Sequence, residues 1–152
     1  MATTRWLDED EQRAWRAFIE ATGLLMDQLD RELQRDAGMP HAYYEILVRL
    51  SEQPDSSLRM SELAARSHSS RSRVSHAVAR LEEAGWVRRE SVSDDRRAAL
   101  AVLTPEGFAA LAAAAPGHVE GVRTHLLDRL TPAQVTQLRR ISEAVRDPLL
   151  DR

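Results

Sequence analysis

At residue 85 the periodicity of this chain changes, and that change restricts the fold more than any other feature. Up to Ala84, Val74, Ala77, Val78 and Leu81 recur at the spacing of one helix face. Gly85 follows as a left-handed helix stop. Beyond it, residues 86–92 and 99–103 alternate with a period of two, and the polar run Ser93-Asp94-Asp95-Arg96-Arg97 separates them. A helix that stops at a glycine and runs into two short strands joined by a charged tip predicts a helix followed by a β-hairpin.

The residues upstream complete the pattern. Ser61 is placed to cap a short helix over 62–66, with Leu63 and Ala64 facing inward. Residues 67–69 form a tight polar break, and Ser69 or Ser70 caps the longer helix. Residues 58–60 fit a single strand rung. Short helix, tight turn, longer helix and hairpin, in that order, predict a winged helix-turn-helix over 40–104. Outside it the chain reads as helix. Residues 8–35 carry Trp15, Phe18, Ile19, Leu25, Met26, Leu29 and Leu33 at spacings of three and four, and Gly38 ends the segment. Pro40 opens a second helix with Tyr43, Ile46, Leu47 and Leu50 on one face. Thr104-Pro105 starts an alanine-rich helix, which Pro116-Gly117 is expected to kink or break. Thr131-Pro132-Ala133-Gln134 is a capping box for the last helix, whose stripe is Val135, Leu138, Ile141, Val145 and Leu149. The expected fold is mainly α with a small β wing. Residues 1–39 and 105–152 form a helical region and 40–104 a winged lobe.

Charge separates the lobe from its flanks. All 21 basic residues are arginine. Genomic base composition and selection for bidentate phosphate contacts both account for that. Residues 59–97 hold nine arginines against six acids, a balance of +3, while the remainder balances at −6 to give the net charge of −3. A basic centre between acidic arms is the footprint of a local polyanion-binding surface, although a solvated basic helix face has the same composition.

A helix that enters the major groove needs short polar or basic side chains outward and an apolar face against its scaffold. Ser70, Arg71, Ser72, Arg73, Ser75, His76 and Arg80 are the polar set, and Val74, Val78 and Leu81 the anchor. Ser69 and Ser70, at a helix N-terminus with unsatisfied N–H groups, suit phosphate contact. Arg96 and Arg97 at the hairpin tip suit the adjacent minor groove, with Asp95 placed to orient an arginine. The amphipathic arms 15–33 and 119–149 need covering. A second copy of the same arms is the economical solution, giving a homodimer that reads a pseudo-palindrome, and folding back onto the chain's own core is the other.

The segment Ser70-Arg71-Ser72-Arg73-Val74-Ser75-His76 through Leu81-Glu82-Glu83-Ala84-Gly85-Trp86-Val87-Arg88-Arg89 resembles the recognition helix and first wing strand of the MarR family. Residues 95–107, an Asp-x-Arg followed by a strand and Leu103-Thr104-x-x-Gly107, resemble that family's wing signature. The order of the flanking helices fits as well. The resemblance implies a homodimeric transcriptional regulator whose first and last helices interlock, commonly a repressor that blocks polymerase. It makes Arg97 the wing-tip residue and Asp95 its orienting partner. His76 departs from the arginine often found there and raises the prospect of an altered base preference. The resemblance also implies release by a small aromatic or anionic ligand. Trp15, Arg16, Phe18, His41, Tyr43 and Tyr44 are candidates to line its cleft, but large aromatics at helical spacing are equally the signature of packing.

Other classes fare poorly. The chain has no cysteine, which excludes disulfides, Cys-ligated zinc and thiol sensing. Among the five histidines, His118 and His125 stand two helical turns apart, too far to grip one ion, so no metal site is expected. There is no phosphate loop, nucleophile motif or paired His/carboxylate spacing, so neither an enzyme nor a cofactor is expected. No apolar run approaches a membrane span, and the acidic run Asp8-Glu9-Asp10-Glu11 follows the N-terminus where a signal peptide would be apolar, so a cytoplasmic protein without membrane partners is expected. A ligand- or protein-binding dimer on the same fold, without operator recognition, is the alternative function.

Overall fold

The computed structural model describes residues 3–91 and 99–150. In chain order these form α1 (Glu9–Ala37), α2 (His41–Ser51), β1 (Ser57–Arg59), α3 (Met60–Arg66), α4 (Arg71–Glu83), β2 (Val87–Ser91), β3 (Ala99–Leu103), α5 (Pro105–His125), a 3-10 turn at Leu127–Arg129, and α6 (Pro132–Leu150). The chain divides into two compact units. One comprises Met1–Gln28 with Val119–Arg152, and the other is Leu29–His118. The second unit thus contains residues 40–104 together with the end of α1 and the first part of α5.

The second unit is a winged helix-turn-helix lobe. Its sheet has the order β1-β3-β2, antiparallel throughout. The expected strand rung at 58–60 is β1, which pairs Leu58 with Ala101 and so turns the hairpin into a three-stranded sheet. Ala101 and Leu103 of the central strand pack into the same core as Leu47, Leu50, Leu63, Val78 and Leu81, which are fully enclosed, while Val102 is buried on the alternate side of the strand. Removing a leucine of this size from water contributes about 1.5–3 kcal/mol, so the helix-turn-helix pair is held from within.

Local chemistry sets the boundaries. Ser70 Oγ accepts the Arg73 N–H at 3.2 Å and starts α4. Gly85, at φ +76°, ends it and turns the chain into β2. His68 takes the left-handed conformation (φ +48°) within the tight break. One expected boundary is corrected. α3 begins at Met60, not after Ser61, because Arg59 stays extended and the Glu62 carboxylate reaches back to its N–H at 3.3 Å. The cap comes from the acid, and the Ser61 hydroxyl is not needed.

The Leu103-Thr104-x-x-Gly107 motif acquires a mechanical meaning. Thr104 Oγ1 donates to the Gly85 carbonyl at 2.7 Å and accepts the Gly107 N–H at 3.0 Å. The start of α5 is thereby fastened to the α4–β2 turn. Gly107 lies so close to that turn that an added Cβ would land on the Trp86 carbonyl oxygen, 2.9 Å from Leu103 Cδ1. A second correction concerns the break expected at Pro116-Gly117. Pro116 remains inside a continuous α5. A proline removes one N–H donor, and the alanines 112–115 that precede it have the highest helix propensity, which holds the turn before it.

In the first unit Asp8 and Glu11 form a reciprocal cap at the start of α1: Glu11 N–H to Asp8 Oδ1 is 2.8 Å and Asp8 N–H to Glu11 Oε2 is 3.0 Å. Thr131 and Gln134 form the expected box at α6, at 3.3 and 2.9 Å. Every buried hydrophobic among the described residues lies between Leu29 and Ala114. Trp15, Phe18, Ile19, Ile141, Val145 and Leu149 all remain exposed. No described helix is long and apolar enough to cross a membrane.

Candidate nucleic-acid interface

α4 presents two faces of opposite character. Val74, Val78 and Leu81 are buried, while Arg71, Ser72, Arg73, His76 and Arg80 are exposed. Its first turn leaves the amides of Arg71 and Ser72 without intrahelical acceptors, since the Arg73 amide is taken by Ser70 and the Val74 amide by the Ser70 carbonyl. Two N–H groups and the guanidinium of Arg71 thus meet at one helix end, an arrangement suited to a phosphate.

The basic residues are not equivalent. No ion pair involves Arg71 or Arg73 among the described residues. Arg80 is held by Glu83 at 2.8 Å, and that carboxylate raises the already high pKa of the guanidinium. Arg88 pairs with Glu90 at 2.6 Å and Arg89 with Glu82 at 3.1 Å. Ser75, expected to face outward, is half-buried, with its carbonyl accepting from Arg89 Nη2 at 2.7 Å. Ser69 is half-buried beside α2. Asp95, Arg96 and Arg97 lie outside the described residues.

The expected ligand-cleft residues belong to both units. Trp15, Arg16 and Phe18 are exposed on α1 in the first unit. His41 and Tyr44 belong to the second, where Tyr44 is buried in the lobe core and its ring lies 4.5 Å from that of His118. The His41 ring stands 5.4 Å from that of His118 and 6.4 Å from that of Tyr44, so the three rings form one cluster. Burial and then His41 push the His118 imidazole below its ordinary range, against a smaller opposite pull from Glu45. Its Nδ1 is buried without a hydrogen-bond partner among the described residues.

Sequence reasoning missed a cleft of about 320 Å³ between α2, the α3–α4 turn and α4. Ile46, Val74 and Ala77 supply its apolar wall, and Glu45, Arg49, Ser67, Ser69 and Arg73 its polar one. Arg49 donates to Glu45 at 3.4 Å, but Arg49 Nε and Ser67 Oγ are buried without partners among the described residues. No spacing rule along the chain brings residues 45–49 and 67–77 together.

Comparison with known proteins agrees with this geometry. Residues 37–98 match the sequence profile of the MarR family. The fold superposes on that of Sco3205, a MarR family transcriptional regulator from Streptomyces coelicolor crystallised in complex with DNA. The TM-score is 0.92 and the identity 54%, over 97% of this chain and 92% of that one. AbsC, another MarR family regulator from the same organism, gives a TM-score of 0.90 and 42% identity over 98% of this chain and all of its own. The HTH-type transcriptional regulator PecS from Dickeya dadantii is 38% identical over 72 residues, which span 47% of this chain and 43% of PecS. A winged lobe with an outward basic helix, joined to likeness of this extent, makes the chain a member of the MarR family of DNA-binding transcriptional regulators, which are not enzymes.

Proposed function

We propose that the chain acts in the cytoplasm as a homodimeric repressor. It places α4 of each protomer in the major groove of a pseudo-palindromic operator, with half-sites about 10 bp apart. Residues 92–98 reach the flanking minor groove, where Arg97 makes the contact and Asp95 orients it. The observation that carries this reading is the pair Arg71 and Arg73, without an acidic partner among the described residues, at the capped end of α4 beside the first-turn amides. The exposed stripe of α1 and α6 supports the dimer, because an apolar surface of that extent needs a cover and an isologous partner supplies one.

Release by a small aromatic or anionic ligand is the regulatory half of the proposal. Unpartnered Arg49 Nε and Ser67 Oγ beside an apolar wall support it, since an acid with an aromatic body satisfies both. Trp15, Arg16, Phe18, His41 and Tyr44 are the other candidates for contact. The test is a gel shift on the promoter region of the protein's own gene, with nonspecific competitor at two salt concentrations, repeated with benzoate-type acids. A discrete complex that survives competitor, weakens with salt and dissociates with the acid is expected. A diffuse, competitor-sensitive complex would count against operator recognition, and a complex indifferent to every acid against the effector.

A further inference from the structure

The alternation of β2 sends its two arginines to opposite faces. Val87 is buried, so Arg89, two residues on, falls on the same inner side just past the edge of the core. Arg88 falls on the other side and pairs with Glu90, also two residues away. Arg89 therefore lies over α4. Its backbone N–H donates to Glu82 Oε1 at 3.1 Å, and its Nε meets Glu82 Oε2 at 3.1 Å. Its Nη2 donates to the Ser75 carbonyl at 2.7 Å, with the Ser75 hydroxyl at 3.4 Å. Ser75 and Glu82 are seven residues apart, two turns along one face of α4. One side chain thus grips the helix at two levels from the strand that leads into residues 92–98.

We propose that Arg89 is a positioning residue for DNA recognition: with Glu82 it fixes the direction of the hairpin relative to α4, and it makes no DNA contact itself. The inference rests on the reading of α4 as the DNA-binding helix. The physical grounds are the fork geometry of the guanidinium and the direction of its donors. A planar fork meeting a carboxylate and a carbonyl together is a geometry lysine cannot reproduce. Donors spent on Glu82 and Ser75 are unavailable to a phosphate. Two DNA-contacting elements joined rigidly pay less ordering cost on binding than two that swing independently.

The clamp and a direct contact predict opposite results. The variants are Arg89→Lys, Arg89→Gln and Glu82→Gln, and the probes are a duplex recovered by the parent from a random library and a random-sequence duplex of equal length. The clamp predicts that each variant binds the recovered duplex about tenfold more weakly, the scale of coupling within a hydrogen-bonded network. Binding to the random duplex and the slope of log K against log salt stay at parent values. Charge alone predicts that Glu82→Gln, which removes an acid beside the DNA, binds more tightly. A direct phosphate contact predicts that Arg89→Gln lowers the slope by about 1.8 for two copies. Either result overturns the proposal, as does a parent-like Arg89→Lys. A readout independent of DNA separates this inference from the reading beneath it. The Arg89 Nε–H resonance should be protected from solvent exchange in the parent and lose protection in Glu82→Gln. Absence of protection in the parent overturns the clamp whatever the DNA does. A protected resonance in a parent that recovers no sequence removes the DNA reading of α4, and the positioning role falls with it.

Discussion

Arg71→Ala tests the electrostatic side of the account. Arg71 is the first residue of α4, is exposed, and has no acidic partner among the described residues, so its charge is fully available to a phosphate. Each phosphate neutralised contributes about 0.9 to the slope of log K against log salt. A two-fold dimer loses two contacts, so the slope should fall by about 1.8. Between 50 and 200 mM salt the parent should therefore lose about twelvefold more affinity than the variant. The loss should be similar on recovered and random duplexes, because a phosphate contact carries no sequence information. Fluorescence anisotropy titrations at four salt concentrations measure it. Arg139→Ala is the control: Arg139 lies on α6, paired with Glu143 at 3.3 Å, and its removal should leave the slope unchanged. An Arg71→Ala slope equal to that of the parent would refute the assignment of α4 as the phosphate-contacting helix.

Further outcomes follow from the packing. Gly107→Ala forces Trp86 or Leu103 to shift and should lower the stability of the lobe by about 1–3 kcal/mol, read from thermal melts; a parent-like melt would mean that the approach there is not tight. Ile141→Asp with Val145→Asp should shift the protein to monomer in light scattering at micromolar concentration, since burying each of these side chains contributes about 1.5–3 kcal/mol and the two-fold counts it twice. His118 has its folded pKa depressed, so the unfolded chain binds the extra proton. Its contribution to stability is present above the unfolded value of 6.5 and is lost as pH falls through the folded value. His118→Phe should flatten the fall in melting temperature below pH 6.5, and an unchanged pH profile would show that the imidazole is not desolvated. Arg73→Ala should cost about 1–3 kcal/mol of specific binding while leaving the dimer intact.

Much of the lobe is legible along the chain because its signals are local. The Val74–Leu81 stripe, the Ser70 cap, Gly85 and the Thr131–Gln134 box each act within a turn or two, and each is where its residue types place it. What escapes sequence reading depends on partners far along the chain. The rung expected at 58–60 gave no sign that its partner is Ala101 on β3, and Gly107 is required because the Trp86 carbonyl lies against it. The early start of α3 is a different case, since Glu62 reaches back only three residues to the Arg59 N–H. On α4 the sequence marks the basic residues but not their commitments. Arg71 on α4 and Arg89 on β2 look alike in a string of letters, and only the fold shows that Glu82 and Ser75 hold one and not the other. The cleft beside Arg49 escapes for the same reason, since Ser67 comes near it only through the α3–α4 turn.

Dimethyl sulfate footprinting of the recovered duplex tests the central claim most directly, because the reagent methylates guanine N7 in the major groove and adenine N3 in the minor groove. The account predicts two patches of protected guanine N7 about 10 bp apart on one face of the duplex, with flanking protection of adenine N3, and loss of the N7 patches in Arg73→Ala. A stable complex that leaves every guanine N7 reactive would contradict it, because α4 would then lie outside the major groove.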